Sequence, residues 1–314
     1  NAFILDVPWK DYTLRMERLS QYTKADVMQF VRQYYNNNYV IVYKNTGEDK
    51  NVQKVVKPAI TPVAVNREER SPFLMELANL PAAEIQPVFV DYSKDIKSQT
   101  LQNTLPLLYT ENKENATFDL YYVFEMGTLS NRKLGLAIDY LPYLGTSKYT
   151  PKQMQEEFYK LGCSYNVFSS EEQVWVSLSG LSENFIAAVD LFDQLLQDPK
   201  ADKTALKNLI DDELKSSKDA KLNKNTILFG LKQYGTFGLQ NPFNYQLTEK
   251  ELRAVKPEEL TGLIKGLNSY QHRILLYGSV SSKVAMMSLN SYHKVTAPLK
   301  PVPENKLFTR QETG

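Results

Sequence analysis

The chain has 314 residues, 37 Lys+Arg against 36 Asp+Glu, a formal net charge of +1, and 42% hydrophobic and 23% charged side chains. This is the composition of a folded globular chain long enough for two compact units, and its charge balance excludes broad electrostatic binding to nucleic acid or anionic membrane. One cysteine and two histidines, His272 and His293, exclude a disulfide framework, a multi-cysteine metal site and most histidine-rich ones, since a catalytic zinc takes about three protein ligands.

Taken in chain order, Thr23-Lys24-Ala25-Asp26 opens a helix whose apolar residues Val27, Met28, Phe30, Val31 and Tyr34 recur near the helical period. Asn36-Asn37-Asn38 stops it, and Tyr39-Val40-Ile41-Val42-Tyr43 predicts a buried strand. One helix and one strand bury no core alone, so residues 1–50 are expected to be the C-terminal portion of a preceding α+β domain. Residues 51–104 carry Pro58, Pro62, Pro72, Pro81 and Pro87 without a sustained period and predict an extended connector. Its apolar residues, among them Phe73, Leu74, Val88 and Phe89, predict docking on neighbouring domains.

Residues 105–280 form the main unit. Leu105–Tyr109 and Phe118–Phe124 predict strands paired across a polar turn at Glu111–Asn115. A helix is expected over about 133–144, ending at Gly145, and another starts at Thr150-Pro151-Lys152-Gln153. There Thr150 caps, Pro151 suits the first helical position and Gln153 completes a capping box. A hairpin (164–168 and 174–178) follows, then a helix from Ser182, helices near 203–216, 226–234 and 257–267, and the strand Arg273–Tyr277. Strands in hairpins and helices in runs predict an α+β fold, a mainly antiparallel sheet with helices packed on one side. Residues 281–314, with Pro298, Pro301 and Pro303, read as a second connector. The helix–strand pair ending at Tyr43 parallels the one ending at Tyr277. The chain therefore reads as the tail of one domain, a linker and one complete copy of a related domain.

The stretch Leu134–Asn166 has a helix ending in Leu144-Gly145-Thr146, a second ending in Leu161-Gly162, and a small-residue turn into a strand. Together with Gly127-Thr128-Leu129-Ser130, the helix Asn208–Leu214, Tyr234-Gly235 and Asn241-Pro242-Phe243, it resembles the insulinase/pitrilysin family of zinc peptidases, which includes the mitochondrial processing peptidase. The connector resembles those of bacterial members. In active halves of that family, a helix just before Gly-Thr carries His-x-x-Glu-His, two imidazoles for zinc and a glutamate that activates the bound water. The matching positions here are Leu136, Asp139 and Tyr140. Leucine has no lone pair, neutral tyrosine is a poor ligand with a pKa near 10, and neither His272 nor His293 has a partner at ligand spacing. Glu213 falls where the family's distal glutamate ligand lies, and reads as a remnant of it or as an ordinary exposed helical residue.

The resemblance implies a non-catalytic, zinc-less domain of a two-half, clamshell metallopeptidase. This chain would wall the peptide chamber, supply a sheet edge for an extended peptide and hinge through residues 51–104. Zinc is expected in the active half of the parent protein and no cofactor in this chain; the expected partners are that half and a peptide substrate. The alternative is a scaffold related to respiratory-complex core proteins, with no peptidase role. The family's Arg/Tyr substrate pair is expected in the fourth domain and is assigned neither to Arg253 nor to Tyr245. Cys163 reads as a packed thiol with no histidine close in sequence. Ser164, Ser169, Ser170 and Ser177 lack a nucleophile-elbow context, and Gly135 and Gly145 form no phosphate loop. The lysines from Lys203 to Lys224 alternate with acids as a solvated helix face does. No window approaches the roughly 20 apolar residues of a membrane span. Asn1–Asp6 lack a signal-type core, and the compartment stays open between a bacterial periplasm or cell envelope and the cytoplasm.

Overall fold

The computed structural model describes residues 1–45, 47, 53, 55–62, 69–102, 104–296 and 298–312. The chain divides into two units, Asn1–Glu84 and Ile85–Gly314.

Among its described residues the first unit holds four helices, α1 (Trp9–Thr13), α2 (Arg15–Gln21), α3 (Lys24–Tyr34) and α4 (Pro72–Ala78). The start of α3 is the sequence's own capping box: Thr23 N donates to Asp26 Oδ2 at 2.8 Å and Asp26 N returns to Thr23 Oγ1 at 3.3 Å. None of the four helices buries a residue, and Phe30 is 55% exposed. Tyr39–Tyr43, expected as a buried strand, is exposed and irregular. A strand is stabilised by ladder partners, and this unit has no strand among its described residues to offer them. The connector is not wholly extended either, because Ser71 caps and Pro72 starts the helix α4. Residues 51, 52, 54, 63–68 and 103 of that connector lie outside the described residues.

Among its described residues the second unit is built on six strands: β1 (Lys97–Leu101), β2 (Leu105–Glu111), β3 (Thr117–Phe124), β4 (Cys163–Ser169), β5 (Val174–Leu181) and β6 (His272–Gly278). The helices, in chain order, are α5 (Tyr92–Asp95), α6 (Arg132–Tyr140), α7 (Pro151–Lys160), α8 (Phe185–Gln197), α9 (Lys203–Ala220), α10 (Lys224–Phe237), α11 (Glu249–Ala254), α12 (Pro257–Gly266) and α13 (Ser282–Tyr292). The sheet order is β1-β2-β6-β3-β5-β4, antiparallel throughout except for β2 beside β6. The expected pairing of β2 with β3 is therefore corrected: β6 lies between them, with Ile274 opposite Leu107 on one side and Tyr122 on the other. Asn112 shows why. Its backbone N–H donates to Gly278 O at 3.0 Å, and its side chain organises a wide loop through Glu114, Asn115 and Thr117. Such a loop spans the roughly 10 Å of two strand spacings that a tight hairpin cannot.

Alternate residues of the strands point into one core: Leu105, Leu107, Phe118, Leu120, Tyr122, Phe124, Val174, Val176, Leu178, Ile274 and Leu276 are all buried. Helices α6, α8, α12 and α13 supply the other layer through residues such as Ile138, Phe192, Ile264 and Leu289. On the opposite face, Leu108, Tyr121, Trp175 and Leu275 are only partly covered. The boundaries expected at 104/105 and 280/281 fall inside this packed unit. Strand β1 pairs with β2, and α13 buries Ala285, Ser288 and Leu289. The residues after α13 run extended but docked: Lys300 bridges to Tyr270, Lys306 N donates to Leu129 O, and Phe308 packs edge-on to Phe237 and Tyr245.

Candidate functional site

Helix α6 begins where the Asn131 side chain accepts from Lys133 N at 3.0 Å. It stops at Tyr140, four residues short of the expected end, because Pro142 tightens the chain into a 3₁₀ turn, Leu141–Tyr143. The Gly145-Thr146 that follows is a packing device. A Cβ on Gly145 would lie 2.3 Å from Tyr149 O, and Thr146 Oγ1 accepts from Lys148 N and Tyr149 N. That turn delivers the chain to Thr150, whose capping box with Gln153 starts α7 as expected.

Leu136 and Asp139, three residues apart on α6, line one cleft of about 550 Å³. Across it stands α9, which presents Leu209, Glu213, Leu214, Ser217 and Lys218 along one face. Phe229 of α10, Phe243, Tyr245 and Leu252 close the apolar side. The structure thus brings Leu136, Asp139 and Glu213 together. Partial desolvation of the Asp139 carboxylate, reinforced by the charge of Glu213, raises its pKa above the usual range.

Tyr140 is placed differently. Its ring is fully buried and does not line the cleft. The hydroxyl donates to Asp202 O at 2.5 Å and accepts from Asp202 N at 2.6 Å. The Asp202 side chain caps α9 through Thr204 N and Ala205 N, so Tyr140 ties the end of α6 to the start of α9.

These residues do not fit a zinc ion. Leu136 offers no donor atom, the Tyr140 hydroxyl has both its proton and a lone pair engaged by backbone, and two carboxylates remain. Among the described residues there is no group of three or more His, Cys, Asp or Glu side chains disposed to hold a metal.

Residues not singled out in the sequence flank the cleft. Arg132 donates to both carboxylate oxygens of Glu251, at 2.5 and 3.1 Å, and lies 5.5 Å from the centre of the Tyr245 ring. Hydrogen bonds from Arg132 first, then from Thr248, hold the Glu251 carboxyl down to about 2. The Thr248-x-x-Glu251 spacing is a capping box legible in the sequence, but α11 is only six residues long and has little periodicity to announce it. Arg253 pairs with Glu249 and Asp211 and lines a separate surface hollow. Cys163 is buried, its thiol raised by desolvation. The two histidines, without partners at ligand spacing in the sequence, meet in the core with their Nε2 atoms 2.9 Å apart.

Comparison with known proteins agrees with this architecture. Residues 130–236 match the family model described as Insulinase (Peptidase family M16). Over 178 residues the chain is 24% identical to the mitochondrial-processing peptidase subunit beta of Neurospora crassa, covering 56% of this chain and 37% of that protein. Among solved structures, the peptidase M16 inactive domain from Pseudomonas fluorescens is similar with a TM-score of 0.54 and 17% identity, over 67% of this chain and 54% of that one. The periplasmic protease PqqL from Escherichia coli is similar with a TM-score of 0.59 and 14% identity, over 92% of this chain and 30% of that one. The chain thus spans between about a third and about half of the length of these relatives. The α6–α10 region, with a six-stranded sheet behind it, is thus similar to the insulinase-type peptidase family, M16.

Proposed function

We propose that this chain is a zinc-less region of a two-half metallopeptidase, one that walls the peptide chamber and supports the active half. One observation carries the reading. The helix at the metal-bearing position of the family is intact, yet it presents Leu136 and Asp139 to the cleft and commits the Tyr140 hydroxyl to the Asp202 backbone. A site of that composition retains shape without the electrophile, and a domain kept in that form serves by binding and support. The edge strand β4 and the partly apolar open face of the sheet, with Tyr121 and Trp175 in edge-to-face contact, suit an extended peptide. In the same reading, zinc resides in the other half of the parent protein, and residues 1–50 belong to the domain before this one.

The test is direct. The purified chain, supplied with zinc and a mixed peptide library, is expected to cleave nothing and to retain no stoichiometric metal after gel filtration. It is expected to bind unstructured peptides and the active half when the two are expressed together. Chelator-sensitive hydrolysis by the chain alone would falsify the proposal.

A further inference from the structure

Four side chains from four parts of the second unit form an unbroken line of hydrogen bonds inside its core. The Tyr122 hydroxyl on β3 donates to Asp193 Oδ2 on α8 at 2.9 Å. Asp193 Oδ1 faces Nδ1 of His293, the residue just past α13, at 2.8 Å. His293 Nε2 meets His272 Nε2 on β6 at 2.9 Å, and His272 Nδ1 ends the line on Tyr270 O at 2.7 Å. Tyr122 and His293 are 0% exposed, Asp193 1% and His272 4%, and none of them lines the cleft.

The proton positions follow from the partners. A carbonyl oxygen only accepts, so His272 carries its proton on Nδ1 and, when neutral, presents a lone pair on Nε2. His293 must then donate from Nε2, and one proton lies between its Nδ1 and Asp193. From His293 through His272 to Tyr270 the line therefore runs in one direction and depends on a single acceptor nitrogen.

We infer that this line is a proton-dependent latch, which holds the end of α13 and the connector after it on the sheet only while His272 offers its Nε2 lone pair to His293. Protonating that nitrogen sets two N–H groups against each other at 2.9 Å. The surrounding rings provide no water to solvate the charge: Tyr122 lies 4.1 Å from the His293 ring, and Phe124 lies 4.6 Å from His272. His293 is the C-cap of α13, and Gln102 Nε2 donates to its carbonyl at 2.7 Å, so its release frees both the last turn and the chain that follows.

Several other charged groups on the packed elements are engaged elsewhere. Lys97 of β1 lies over the Tyr109 ring, Lys265 of α12 reaches Asp198, Glu259 of α12 pairs with Lys133, and Lys294 donates to Asn290 O. On α8, Asp190 accepts from Gln194, and on β6, Arg273 pairs with Glu125. Tyr165 of β4 touches the cluster only through the Phe192 ring. Burial first, and His293 second, push the His272 imidazole down to about 3. Once released into water it regains the ordinary value near 6.5. The open state thus binds the proton more tightly, and opening gains up to about tenfold per pH unit below that value.

Hydrogen–deuterium exchange on the whole chain reads this directly. After correction for intrinsic rates, protection of peptides spanning Ser282–His293 is expected to fall up to about tenfold per unit between pH 6 and 4.5, ahead of α6. His272→Gln, which keeps a neutral acceptor in reach, is expected to remove that dependence. Equal acid sensitivity in the variant, or none in the native chain, overturns the latch. If the variant does not fold, the imidazole ¹⁵N spectrum of the native chain decides instead. A proton on Nδ1 of His272 at neutral pH supports the inference, and a proton on its Nε2 overturns it.

Discussion

The second unit places carboxylates in two settings that contrast sharply. In the cleft, Asp139 and Glu213 share a space with Leu136, and Asp139 stays solvent-exposed. In the core, Asp193 is 1% exposed and has both oxygens engaged, one by Tyr122 and one by His293. A carboxylate that water can reach needs no partner, whereas one removed from water destabilises the fold unless its lone pairs are met. The cleft lining is therefore free to vary without harm to folding. The buried line has no such freedom.

Four outcomes would break or sharpen that contrast. The largest effect is expected for Asp193→Ala, which strands Tyr122 and His293 in the core and should lower unfolding free energy by about 3–5 kcal/mol in urea titrations. A loss below about 1 kcal/mol would mean the line is incidental. Next comes pH. The folded His272 has a pKa of about 3 against roughly 6.5 unfolded. Between these values the unfolded chain binds the extra proton, so this group's stability contribution is full above about 6.5 and declines as pH falls toward 3. The expected slope from it is at most about 1.4 kcal/mol per pH unit, reduced in His272→Gln. A midpoint in urea that does not move between pH 7 and 5 would count against it.

Third, Tyr140→Phe leaves Asp202 N–H and C=O without their partner and is expected to lower stability by about 1–2 kcal/mol, with metal content unchanged. The smallest effect belongs to the cleft. Asp139 is more easily protonated in the folded chain than in water, so removing its charge relieves a mild strain. Asp139→Asn is expected to change stability by no more than about 0.5 kcal/mol, in the stabilising direction at neutral pH. A loss of 2 kcal/mol would show that the cleft carboxylate is structurally committed after all.

Local order along the chain was readable residue by residue. The capping box at Thr150 and Gln153, the helices α8, α9 and α12 and the β4–β5 hairpin all rest on near neighbours in sequence. Chemistry at that range is written in spacing. The short helix α11 and the helix α13 escaped because a few turns with a weak apolar rhythm look like connector.

What the sequence by itself determined, then, was the α+β class and most of the helices. Only the tertiary structure decided that β6 separates β2 from β3, that the Tyr140 hydroxyl belongs to Asp202, and that two histidines 21 positions apart share a hydrogen bond. Those choices turn on which distant segments meet in the core. Burial, not spacing, selects them, because a polar group shut away from water takes whichever partner the packing brings.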